Sequence, residues 1–144
     1  MKILILNGPN LNLITERDSQ VYGNKDFNKI LEELRKEFPE ISFEYSQSNS
    51  EGELIDKIQE SSKKFDGLII NPGGYAHTSV AIKDALEICK IPKIEVHLSN
   101  LAKREDYRQI LLTAASCDGY ISGFKDLGYS IAVQAILKIR GLKK

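Results

Sequence analysis

Glu95 and His97 stand two residues apart in Lys93-Ile-Glu-Val-His97, a run that reads as a strand, so their side chains leave the same face. A carboxylate beside an imidazole orients the ring and stabilises its charged form, which makes an acid–base unit. His77, the other histidine of the chain, ends the run Asn71-Pro-Gly-Gly-Tyr-Ala-His77. Two histidines and a carboxylate are also a possible metal donor set. No helical HExxH motif and no carboxylate cluster accompanies them, which favours the acid–base reading. Arg17 and Tyr22 lie five residues apart in the polar segment from Thr15 to Gly23. By composition that segment is a solvated loop; by length and place it suits a lid. Neither GxGxxG nor GxxxxGK[ST] occurs, so the usual phosphate loops are missing.

The elements that must hold these residues alternate along the chain. Lys2 to Leu6, Ile41 to Tyr45, Gly67 to Ile70, Lys93 to Val96 and Gly119 to Ser122 read as strands, short and buried on both faces. Phe27, Ile30, Leu31, Leu34 and Phe38 follow helical spacing up to Pro39. Ser50-Glu-Gly-Glu53 is a capping box that opens a helix with Leu54, Ile55, Ile58 and Phe65 inward. Thr78-Ser79 offers a cap to a helix with Ala81, Ala85, Ile88 and Cys89 on its apolar face. The stretch after Asn100 is expected to be helical to about Ala115, and a last helix carries Ile131, Ala132, Ala135, Ile136 and Ile139 up to Gly141. Five strands alternating with helices predict an α/β fold in one domain spanning 1–144, a doubly wound parallel sheet with a flavodoxin-like strand order.

Such sheets bind ligands at the carboxyl ends of their strands. Those ends carry Asn7-Gly-Pro-Asn-Leu-Asn12, Ser46-Gln-Ser-Asn49, Asn71 to His77, and Glu95 to Asn100. Both histidines and many amides therefore fall on one edge, which suits a small polyhydroxylated or carboxylated ligand.

The 144 residues include 20 Lys+Arg and 20 Asp+Glu, so net charge is zero and gives no general attraction to nucleic acid or acidic membranes. With 42% hydrophobic and 28% charged residues, disorder and coiled coil are poor readings. No apolar run approaches the ~20 residues that span a bilayer. The opening Met-Lys-Ile-Leu-Ile-Leu is too short for a signal peptide. Cys89 and Cys117 form no CxxC and no disulfide scaffold. A reduced, cytoplasmic protein is expected, with no nucleic-acid or membrane partner. A receiver-like binding module is a competing reading, but it needs acids after the first strand, where Asn7 and Asn10 stand.

Taken together, Asn7 to Leu13, Arg17, Tyr22-Gly23, Gln47 to Glu51, Asn71 to Ser79 and Glu95 to Asn100 resemble the type II 3-dehydroquinate dehydratases of the shikimate pathway. The resemblance runs from Met1 to about Gly141. It implies a flavodoxin-like fold and the loss of water from 3-dehydroquinate to give 3-dehydroshikimate, with no cofactor and no metal. The implied route is an anti elimination through an enolate. In this family Tyr22 matches the base at C2, Arg17 the residue that holds it as phenolate, and His97 the acid for the C1 hydroxyl, oriented by Glu95. Asn10 matches an amide that holds a water at the enolate oxygen. Asn71, His77, Leu98, Ser99 and Arg108 match substrate-binding positions. Asp84 matches an aspartate that reaches a neighbouring subunit's site, in a homododecamer built as a tetramer of trimers. Two departures stand in the first loop. The family usually has Gly after the Leu13 position and Glu-Pro after the arginine, where this chain has Ile14 and Asp18-Ser19.

Overall fold

The computed structural model of the protein describes residues 1–142. Its strands β1 (Lys2–Asn7), β2 (Ser42–Gln47), β3 (Gly67–Asn71), β4 (Lys93–His97) and β5 (Gly119–Ser122) form one parallel sheet. The order β2-β1-β3-β4-β5 is the flavodoxin-like one. Helices α2 (Phe27–Glu37) and α5 (Leu127–Leu142) cover one face, and α3 (Glu51–Lys64) and α4 (Val80–Ile88) cover the other. A short helix, α1 (Ser19–Tyr22), lies in the first connection.

Side-chain alternation divides the core in two. Ile3, Ile5 and Ile69 join the α2/α5 side, whereas Leu4, Leu6, Leu68 and Ile70 join the α3/α4 side. All seven are at most 1% exposed, and each such burial contributes ~1.5–3 kcal/mol. The expectation of strands buried on both faces holds for β1, β3 and β4. It fails at the sheet's edges, where Ser42, Glu44 and Tyr120 face solvent. An edge strand has a neighbour on one side only, so part of it stays wet.

Three local expectations need correction. The stretch after Asn100 is not one helix. It forms three short 3₁₀ turns, Leu101–Lys103, Asp106–Gln109 and Ala114–Ser116. Only Leu101, Thr113 and Ala114 of this stretch are buried, so no continuous apolar stripe holds it against the sheet as a helix. Gln109 ties the first two turns instead, its Nε2 donating to the carbonyl of Leu101 at 2.6 Å.

Helix α4 is rotated from its expected face: Ile82, Ala85, Leu86 and Cys89 point inward, while Ala81 and Ile88 are exposed. Burying Ile82 and Leu86 removes more apolar area from water than burying Ala81 and Ile88 would.

The capping box forms only half directly. Ser50 Oγ accepts from the Glu53 amide at 3.4 Å, but the Glu53 carboxylate accepts from Ser48 Oγ. Ser48 Oγ in turn accepts from the Ser50 amide at 2.9 Å, so a hydroxyl relays the second half.

Candidate active site

The strand order reverses between β1 and β3, and a crevice opens there at the carboxyl ends. Two glycines let its walls meet. A Cβ on Gly8 would sit 2.6 Å from the carbonyl oxygen of Pro72. Gly73 adopts φ +61°, and a Cβ there would lie 3.0 Å from the carbonyl oxygen of Pro9. The resulting cleft holds about 100 Å³.

One wall comes from the first connection. Arg17 and Tyr22 both line the cleft, and Arg17 Nη2 donates to the Tyr22 hydroxyl. The guanidinium also stacks on the tyrosine ring, 3.6 Å from its centroid. The segment expected as a loop or lid is thus partly helical. Asp18 Oδ1 accepts from the Gln20 amide at 2.9 Å and caps α1, which carries Tyr22. The departure Ile14 is 3% exposed and packs in the core, anchoring the start of the segment. Asn10, at φ 69°, lines the same cleft. Its backbone N–H donates to Asn49 Oδ1 at 3.1 Å.

The opposite wall is the end of β4. His97 is 5% exposed and faces the cleft. Its Nε2 lies 2.7 Å from Oε2 of the wholly buried Glu95. The other Glu95 oxygen accepts from the hydroxyl of Thr113. Leu98 and Ser99 follow along the cleft. Asn71 lines its floor, with Oδ1 accepting from the Gly73 amide at 3.1 Å and Nδ2 donating to Tyr129 at 3.5 Å.

His77 stands beside this group, its ring centroid 6.1 Å from that of His97. Its Nδ1 is 2.7 Å from the carbonyl of Ile110, to which it donates, and its Nε2 is buried without a partner. Burial draws its imidazole below the usual value, and His97 and Arg108 push the same way. The His77, Glu95 and His97 donors do not converge. Among the described residues, no group of three or more His, Cys, Asp or Glu is arranged to hold a metal ion. The receiver-like reading fares no better: Asn7 is fully buried under the Tyr129 hydroxyl, which donates to its Oδ1 at 2.8 Å.

The cleft is cationic. Arg108 lines it, as does Arg104, which sequence reasoning missed. Arg104 Nη1 donates to Ser99 Oγ at 2.9 Å, and its guanidinium lies 5.3 Å from the Tyr22 ring centroid. Its spacing of four from Arg108, after the strand that bears His97, was the available signal. Burial is the main reason that the Arg17 guanidinium sits below its usual value; the Tyr22 oxygen opposes this, while Arg108 and Arg104 add to it. Such a site suits a carboxylate or an oxyanion. Asp84 is not brought to this cleft: it is exposed on the outer face of α4.

Comparison with known proteins gives the family. The family model described as "Dehydroquinase class II" matches residues 1–137. A protein of Clostridium perfringens (strain SM101 / Type A) named 3-dehydroquinate dehydratase is 50% identical over 141 residues, covering 96% of this chain and 97% of that one. A Fusobacterium nucleatum protein of the same name is 46% identical over 144 residues, covering 96% and 97%. The crystal structure of type II dehydroquinase from Butyrivibrio crossotus DSM 2876 superposes with a TM-score of 0.90 at 44% identity, covering 94% of this chain and 97% of that one. With the family model spanning nearly the whole sequence, the chain belongs to the class II dehydroquinase family.

Proposed function

We propose that the protein is a hydro-lyase that converts 3-dehydroquinate to 3-dehydroshikimate and water, a step of the shikimate pathway toward aromatic amino acids. The observation that carries the reading is the placing of two preorganised pairs on one cleft, Arg17–Tyr22 and Glu95–His97. Tyr22 as phenolate takes the proton from C2, and the electron pair moves into the C3 carbonyl as an enolate. A free phenol, with a pKa near ~10, is a poor base at neutral pH, and the Arg17 guanidinium stands against the oxygen that must carry the charge. Collapse of the enolate expels the C1 hydroxyl, which leaves as water with a proton from His97. Glu95 compensates the charge on the imidazolium before transfer. Asn10 supports the enolate oxygen through a bound water, and neutral donors suit a charge that appears only in the reaction. Asn71, His77, the Leu98–Ser99 segment and Arg108 bind the substrate's hydroxyls and carboxylate. The elimination needs neither a metal nor an organic cofactor, because proton transfer and oxyanion support are both present in side chains.

The assembly belongs to the same proposal. Asp84 lies exposed between the exposed apolar residues Val80 and Ile88, which supports its reaching the site of a neighbouring copy in a dodecamer made of four trimers. The free thiols Cys89 and Cys117 fit a cytoplasmic place.

The test is the rise in enone absorbance when purified protein meets 3-dehydroquinate in the presence of chelator. The expected result is turnover in the wild type, lost by at least ~10³-fold in Tyr22→Phe, which keeps the ring and removes the base. No turnover by folded wild-type protein, or full activity in Tyr22→Phe, refutes the reading.

A further inference from the structure

Glu95 is wholly buried, and a carboxylate in that position needs its oxygens met by donors. The two oxygens have different partners: Oε2 meets His97 Nε2 at 2.7 Å, and Oε1 meets the hydroxyl of Thr113. Thr113 is itself inaccessible to solvent and comes from 18 residues further along the chain. An ionised carboxylate only accepts, so the threonine hydroxyl donates and the ring nitrogen that faces Oε2 carries hydrogen. The neutral ring then keeps its lone pair on Nδ1.

The backbone that delivers the hydroxyl is pinned. The amides of Leu112 and Thr113 reach the carbonyl of Ala76 at 2.9 and 3.4 Å. The Ser116 amide returns to the Thr113 carbonyl at 3.1 Å. Glu95 is therefore held at both oxygens, by the histidine it orients and by a segment anchored on the loop after β3. Removing the hydroxyl leaves one buried carboxylate oxygen without its donor and frees the group to turn.

We propose that Thr113 is a positioning residue for the acid–base pair: its hydroxyl holds the Glu95 carboxylate so that His97 presents Nδ1 to the cleft. The proposal rests on the reading of His97 as the acid. Thr113 touches no substrate and acts only through Glu95.

Four variants test it. Thr113→Val is expected to lower kcat roughly 10- to 100-fold, the scale of one hydrogen bond to a charged group, with KM changed by less than about threefold. Thr113→Ser restores the hydroxyl and is expected to keep kcat within about threefold of wild type. Glu95→Gln combined with Thr113→Val is expected to be no slower than Glu95→Gln alone, because the second change acts through the first. Imidazole ¹⁵N spectra at a pH where the ring is neutral are expected to show His97 as the Nε2–H tautomer in wild type and Thr113→Ser, and as a mixture in Thr113→Val. An unchanged kcat and tautomer in the valine variant overturns the proposal, as does a double variant whose losses multiply. Should Thr113→Val fail to fold, Thr113→Ala carries the same readouts. Turnover retained in His97→Asn is a different failure: it removes the acid assignment, and the tautomer comparison then decides by itself whether Thr113 sets the ring.

Discussion

Arg17 makes two contacts with Tyr22 that a lysine cannot make together. Its Nη2 donates to the hydroxyl while the planar guanidinium stacks on the ring. Arg17→Lys is therefore expected to lower kcat by about 100-fold while leaving Tm unchanged, since the group is only half-buried and serves no core. A steady-state analysis that finds the loss in KM alone would assign Arg17 to ground-state binding instead. At His77 the prediction concerns pH. Its folded-state pKa lies below the ordinary value of ~6.5, chiefly through burial, so the unfolded chain takes up a proton first as pH falls. Stability is at its full value above ~6.5 and declines on acidification until the folded-state pKa is passed. His77→Gln removes the titrating ring, and its Tm is expected to fall less steeply than the wild type's between about pH 7 and pH 5. Equal slopes in thermal denaturation would place the acid sensitivity elsewhere.

At the scale of elements, the segment bearing Tyr22 is held weakly and by identifiable parts. Helix α1 has four residues, none of them fully buried, and Tyr22 only partly packs against the core, so packing holds it lightly. Its start depends on Asp18, whose removal in Asp18→Ala takes about 1 kcal/mol from the local order. The expected result is a several-fold loss of kcat/KM with Tm unmoved. Ser19→Pro restores the family's usual residue at the first helical position, where proline is accepted, and narrows the open ensemble. Limited proteolysis between residues 12 and 25 is expected to slow in that variant; equal cleavage rates would show that the open segment gains nothing from the proline.

Much of this architecture was legible in the residues. The apolar runs of β1, β3 and β4 marked the sheet, and Asn10, Asn71 and His97 marked its carboxyl edge. Residues 101–116 were not legible, because they are ordered by the Gln109 side-chain amide, the Ser99 hydroxyl and the Ala76 carbonyl and not by a stripe of apolar side chains. Thr113 left no trace for the same reason: a hydroxyl that meets a carboxylate across the fold has no periodicity.

At the scale of the molecule, the outer face of α4 is the feature that a single chain does not explain. Val80 is 58% exposed and Ile88 67%, and between them stand Ala81 and the carboxylate of Asp84. Ser79 caps the helix through the Ile82 amide at 2.9 Å, and burial of Ile82 and Leu86 sets its rotation. The exposed side is thus a consequence of the core, and water against Val80 and Ile88 is a standing cost that a second copy would relieve. If that copy also receives Asp84 in its cleft, assembly and turnover are linked. Ile88→Glu places a charge on this exposed face without touching the core. Light scattering is expected to show its mass falling toward that of the 16.2 kDa chain, with Tm reduced and kcat/KM lost together. Asp84→Asn separates the two effects: the assembly is expected to persist while kcat/KM falls at least ten-fold. An Ile88→Glu protein that keeps both its mass and its activity would mean that this face contacts no other copy. An Asp84→Asn protein at full activity would confine the carboxylate to the surface of its own subunit.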